Sequence, residues 1–150
     1  MGSKYKGNKV EVRALSAFIN LMRASDSVGA RAFNHIQTEQ LTPSQFGVLE
    51  VLLHAGPMYQ TDLGKKLLRT GAAITSVIDH LEQNGLVERE RSKDDRRFIM
   101  VCLTKKGEAL IQRIFPHHAT VITKELSALT PTEQVELRRL CKKLGRKGGS

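Results

Sequence analysis

Apolar positions along this chain recur mostly every three or four residues, the spacing of helices with one buried face. In residues 10–37, Leu15, Phe18, Ile19, Met22, Ala30 and Phe33 follow that order, while Ser25, Ser27 and Gly29 weaken the middle. Read as one helix the segment is about 40 Å long. A compact chain of this size has a radius of gyration of about 15 Å, so part of that apolar face meets a second chain. Two shorter helices broken near Ser27 and Gly29 are the alternative. A second helix opens at Leu41-Thr42-Pro43-Ser44-Gln45, with Thr42 as N-cap, Pro43 at the first helical position and Gln45 placed to close a capping box. Phe46, Leu49, Leu52 and Leu53 give its buried face, and Gly56-Pro57 ends it.

Residues 61–103 organise the rest. Thr61 or Asp62 is expected to cap a short helix carrying Leu63, Leu67 and Leu68. Gly64 costs that helix about 1 kcal/mol against alanine, which a close crossing by the next helix would explain. After a turn at residues 68–71, with Thr70 as the next cap, a helix over residues 71–84 carries Ile74, Val77, Ile78 and Leu81 on one face. Its other face holds Ala72, Thr75, Ser76, Asp79 and His80. Asn84-Gly85 is a left-handed stop. Residues 87–91 and 98–103 then alternate with period two, as the strands of a hairpin do, around a charged tip, Ser92-Lys93-Asp94-Asp95-Arg96-Arg97.

Thr104 is placed to cap a helix bearing Leu110, Ile111, Ile114 and Phe115, which Pro116 should kink or break. Val121, Ile122, Leu126 and Leu129 continue the stripe, and Leu129-Thr130-Pro131-Thr132-Glu133 repeats the earlier helix start. The last helix carries Leu137, Leu140, Cys141 and Leu144. Residues 1–9 and 146–150 read as flexible basic tails. The order is α-α-α-α-ββ-α-α, mainly helical with one β-hairpin and no internal repeat.

Composition adds a limited amount. Charged residues are 26% and hydrophobic ones 40% of the 150, as in an ordinary globular domain. The formal net charge of +9 favours a polyanionic partner. Its distribution is uneven: residues 43–107 hold 10 basic and 8 acidic side chains, so the excess lies in the two ends. No apolar run reaches the length of a membrane span and no signal peptide opens the chain, so a soluble, cytoplasmic protein without membrane contact is expected. Cys102 and Cys141 lack any CxxC spacing.

A capped helix-turn-helix followed by a charged hairpin is a winged helix-turn-helix pattern. The thin polar face of its second helix suits base edges in a major groove, and the hairpin reaches the neighbouring backbone or minor groove. The expected DNA-facing set is Arg69, Thr70, Ala72, Thr75, Ser76 and His80, with Arg89, Arg91, Lys93 and Arg96 from the wing. Arg89, Arg91, Lys93 and Arg96 are expected on phosphates, and the hydroxyls of Thr75 and Ser76 on bases.

Residues 41–107 resemble the MarR family of bacterial transcriptional regulators. The resemblance rests on Leu41-Thr42-Pro43, Phe46 and Leu49, on Asp79-His80-Leu81-Glu82-Gln83-Asn84-Gly85-Leu86-Val87, on Asp95-Arg96-Arg97, and on Leu103-Thr104-Lys105-Lys106-Gly107. With the flanking helices it extends over about residues 10–145. It implies a homodimer joined by helices from both chain ends, residues 10–37 and 108–145, carrying two winged lobes (residues 42–107) to a palindromic operator on double-stranded DNA. It also implies that Arg97 enters the minor groove while Asp95 holds the wing through a salt bridge. The implied activity is repression relieved by a small aromatic or phenolic ligand. Phe18, Met22, Phe46 and His54 could line its crevice, but core packing is the better reading of each.

Other functions have less support. A thiol redox or electrophile switch at Cys102 or Cys141 is the alternative, and a module that binds a different protein is a third. The five histidines offer no i, i+4 pair for a metal, so neither metal nor cofactor is expected. Asp79-His80 face apart on a helix and no GxSxG motif occurs, which leaves an enzyme without machinery.

Overall fold

The computed structural model describes residues 4–69 and 71–146. In chain order they form α1 (Lys9–Ala32), a 3-10 helix (Asn34–Glu39), α2 (Pro43–Ala55), β1 (Met58–Tyr59), α3 (Gln60–Lys66), α4 (Gly71–Gln83), β2 (Val87–Arg91), β3 (Ile99–Leu103), α5 (Lys105–Leu126) and α6 (Pro131–Arg146). The expected helices and hairpin are present. A third strand, β1, joins the hairpin in an antiparallel sheet of order β1-β3-β2, with Met58 opposite Val101 and Arg89 opposite Val101 from the other side.

Local chemistry sets the helix ends. At α2 the Thr42 hydroxyl accepts from the Gln45 amide at 3.2 Å and the Gln45 side chain accepts from the Thr42 amide at 3.0 Å. Thr130 and Glu133 repeat the box before α6, and Asn8 with Glu11 forms one before α1. Each box satisfies two amides that the first helical turn leaves without partners. Gly85, at φ 71°, closes α4, with Leu86 N–H donating back to Leu81 O.

Several expectations change. The first helix stops at Ala32, which makes it about 36 Å long, and the 3-10 helix follows; it is neither continuous to residue 37 nor broken near Ser27. Neither Thr61 nor Asp62 caps α3, because the helix already begins at Gln60, straight from β1, with Tyr59 at the N-cap and no side-chain cap. The atom that a Cβ on Gly64 would crowd is the Arg69 carbonyl oxygen in the turn, at 3.0 Å, with Ile74 of α4 farther off at 3.5 Å. Helix α5 continues through Pro116 instead of ending there. The cap expected from Thr70 lies outside the described residues, as do residues 1–3 and 147–150 of the expected tails.

The chain divides into two compact units. One comprises the residues up to Ala32 and those from Ala119 onward; the other is Phe33–His118. The second holds the hydrophobic core, in which Phe46, Leu49, Leu63, Ile78, Leu81, Val101 and Ile111 are fully enclosed. In the first unit Arg31 is ion-paired to Glu125 at 2.8 Å. No residue of α6 is buried, and Val135, Leu140 and Leu144 are exposed, as are Phe18 and Met22 on α1. No helix among the described residues is long and apolar enough to cross a membrane.

Candidate nucleic-acid interface

Helix α4 buries Ile74, Ile78 and Leu81 against the core and leaves Ala72, Thr75, Ser76, Asp79 and His80 exposed. The split follows the helical period, because residues three and four apart share a face. Arg69, in the turn before it, is also exposed; Thr70 lies outside the described residues. The Thr75 hydroxyl is already engaged: it donates to Gly71 O at 2.8 Å and accepts from the Gln60 amide at 3.0 Å. One lone pair is left for a base donor.

The wing tip is an ordered turn built on Asp95. Its carboxylate accepts from the Arg97 backbone amide at 3.0 Å and from the Arg97 guanidinium, with the shortest contact 2.6 Å, Nη2 to Oδ2. That hydrogen bonding holds the Asp95 carboxyl below the usual carboxylate range. Phe98 N–H donates to Asp95 O, Ser92 N–H donates to Phe98 O, and the Arg91 guanidinium donates to Arg96 O. The salt bridge implied by the resemblance is therefore formed. Its arginine side chain remains 85% exposed, and Arg91, Lys93 and Arg96 are exposed around it.

The wing's base is tied down by two further groups. The Thr104 hydroxyl accepts from Gly107 N–H at 3.0 Å, capping α5, and donates to Gly85 O at 2.6 Å. A Cβ on Gly107 would run into the Leu86 carbonyl oxygen, so only glycine lets α5 pack this close to the start of β2.

Arg89 occupies a different environment from the other wing cations. Its side chain is 17% exposed and is ion-paired to Asp79 at 2.6 Å and Glu82 at 3.1 Å. It also donates to Gln60 Oε1 and to Thr75 O, each at 3.1 Å. Four partners engage the guanidinium, all on the protein.

The four residues named for a ligand crevice do not share one environment. Phe46 is enclosed in the core, and its ring lies 4.5 Å from that of His118. His54 is exposed at the far end of α2 against Phe115. Phe18 and Met22 are exposed on α1, in the other unit. A cavity of about 310 Å³ is lined instead by His35, Thr38, Glu39, Arg113, Ile114 and His117. Beside it His35 Nε2 and His118 Nδ1 form a 2.9 Å hydrogen bond, and Arg113 grips Glu39 with two bonds of 2.9 Å. Burial lowers the affinity of His118 for a proton, and neighbouring His35 and His117 lower it further. Sequence spacing gave no sign of this cluster, since its members meet across more than 70 residues of chain.

The Cys102 thiol is half-buried and donates to Glu88 O at 3.8 Å. Burial pushes it up, with Glu88 and Glu90 adding to the effect, which reduces the thiolate that an electrophile would meet. Cys141 is exposed on α6. Among the described residues no group of three or more His, Cys, Asp or Glu is arranged to hold a metal ion.

Residues 41–99 match the MarR family model. The chain is 37% identical over 139 residues to the HTH-type transcriptional regulator YkoM of Bacillus subtilis, covering 92% of this chain and 90% of that protein. It is 37% identical over 133 residues to the HTH-type transcriptional regulator MhqR of the same organism, covering 89% and 92%. Among solved structures, Bordetella bronchiseptica BpsR, whose DNA binding is regulated by 6-hydroxynicotinic acid, superposes with a TM-score of 0.77 at 28% identity, covering 86% of this chain and 98% of that one.

Proposed function

The chain belongs to the MarR family of DNA-binding transcriptional regulators, and we propose that it acts as a homodimeric repressor released from a palindromic operator by a small aromatic ligand. The observation that carries the DNA-reading half is the exposed stripe Ala72, Thr75, Ser76 and His80 on α4, followed in the chain by a wing whose Arg97 is aimed by Asp95. Ser76 reads base edges in a major groove, and Arg97 enters the flanking minor groove. Arg69, Arg91, Lys93 and Arg96 neutralise phosphates, each releasing counterions.

The dimer accounts for helices that one chain leaves bare. With no residue of α6 buried and Phe18, Met22, Leu140 and Leu144 exposed, the terminal helices find their apolar partners in a second copy. Two copies then present two reading helices, matched to half-sites about one DNA turn apart. The effector is assigned by analogy with BpsR to the hydroxylated aromatic acids. The 310 Å³ cavity beside Arg113 and His35 is of the size that such ligands fill. Filling it alters the spacing of the reading helices and costs operator affinity.

Selection of bound sequences from random duplexes, followed by footprinting, tests the reading. A symmetric motif with two half-sites about one turn apart, protected until a hydroxylated aromatic acid is added, is the expected outcome. Recovery of no enriched motif would overturn it.

A further inference from the structure

We propose that Gln60, which belongs to neither the reading helix nor the wing, is a positioning residue for sequence discrimination, acting through Thr75 and Arg89. The proposal rests on α4 being the helix that reads DNA.

Gln60 is the first residue of α3 and directly follows β1, so the chain before it is pinned to β3. Its side-chain amide is bifunctional. Oε1 accepts from Arg89 Nε at 3.1 Å and Nε2 donates to the Thr75 hydroxyl at 3.0 Å. Arginine has only donors, so this amide orientation is the one that satisfies both neighbours. The Thr75 hydroxyl in turn donates a hydrogen bond to Gly71 O at 2.8 Å. Arg89 closes the ring by donating to Thr75 O at 3.1 Å.

The geometry fixes α4 in two respects. Thr75, Asp79 and Glu82 stand at i, i+4 and i+7, one stripe of the helix, and a single guanidinium on β2 engages all three. That sets the rotation of α4 about its axis relative to the wing strand. Gln60 then fixes the Thr75 side chain, whose neighbour Ser76 is the hydroxyl placed on bases. The arrangement also cancels charge: Asp79 would repel phosphate if Arg89 left it. Gln60 therefore contributes to discrimination by aiming the helix, without a phosphate or base contact of its own.

A consequence follows for the residues around it. Breaking this relay lowers the preference for the right sequence, while the phosphate contacts of the exposed cations, and the salt dependence they produce, persist.

The test compares affinities for a duplex selected from a random pool by the wild-type protein and for a shuffled duplex of the same length. Gln60→Leu should lower the ratio of the two affinities roughly tenfold, leaving shuffled-duplex affinity and salt slope unchanged. Thr75→Val should give a similar loss and add little to Gln60→Leu, because the two act in one relay. Thr75→Ser, which keeps the hydroxyl, should retain the wild-type ratio, and Ser76→Ala should lower the ratio further in the Gln60→Leu background. An unchanged ratio in Gln60→Leu, with discrimination intact in the wild type, would overturn the relay alone. So would equal loss on both duplexes in step with a lowered melting temperature. A wild-type protein that failed to discriminate would instead overturn the reading of α4, and the relay with it.

Discussion

His35 Nε2 lies 2.9 Å from His118 Nδ1, a hydrogen bond that needs at least one of the two rings unprotonated. The groups facing it are Glu39 from the 3-10 helix and Arg113 and His117 from α5, while Phe33 and Phe46 pack against the His118 ring. Burial is the first cause of the lowered proton affinity at both histidines; His117 adds to it at His35, and Glu39 partly opposes it.

The pH dependence follows from that direction. With folded values below the ordinary 6.5, the unfolded chain binds protons first as pH drops. The stability due to neutral His35 and His118 is complete above about pH 6.5 and is lost as pH falls through the lower folded values. Urea midpoints at pH 7.5 and 5.5 should decline with pH, and His118→Gln should flatten the trend. A midpoint that rises on acidification would contradict the cluster's role.

Arg97→Ala should weaken operator binding by about ten- to hundredfold, the cost of one well-placed groove contact. The melting temperature should barely move, because the Asp95 pair is a surface one. Asp95→Ala should weaken binding less, by loosening the turn that aims Arg97. Anisotropy titration and a thermal melt separate the two effects; unchanged affinity would remove the wing from the mechanism.

Gly107→Ala should destabilise the fold by about 3 kcal/mol or more, since the added methyl meets the backbone oxygen of Leu86. Thr104→Val should cost about 1–2 kcal/mol through the lost cap and the lost bond to Gly85. Denaturant titration checks both. A neutral Gly107→Ala would mean that α5 can retreat from β2.

Leu140→Asp combined with Leu144→Asp should halve the solution mass and reduce operator affinity, because both side chains are exposed on a helix that buries nothing in one chain. Light scattering on the eluting protein provides the measurement. A wild-type mass of one chain would contradict the dimer.

Much of this architecture was legible in the residues themselves. The boxes at Thr42 and Thr130 are local, each spanning only four residues, and both formed. The hairpin announced itself through alternation over residues 87–91 and 98–103. Strand β1 did not, because two residues, Met58 and Tyr59, carry no period. The histidine cluster was illegible for a different reason, being assembled only by tertiary packing. Arg89 shows how charge alone misleads. It lies two residues from the buried Val87 and opposite the buried Val101, an inward register position. Asp79 and Glu82 carry acid along the α4 stripe that meets it. Alternation puts Val87, Arg89 and Arg91 on one face of β2, so it could not separate Arg89 from the exposed Arg91; only the acids of α4 that meet Arg89 do that.

The central claim is that α4 and the wing read one DNA sequence while the surrounding cations hold the backbone. Fluorescence anisotropy at two salt concentrations, on the selected duplex and its shuffled counterpart, tests it most directly. The account predicts much tighter binding to the selected duplex, two chains per duplex, and a steep loss of affinity for both as salt rises. Equal affinity for the two duplexes, or binding that ignores salt, would contradict it.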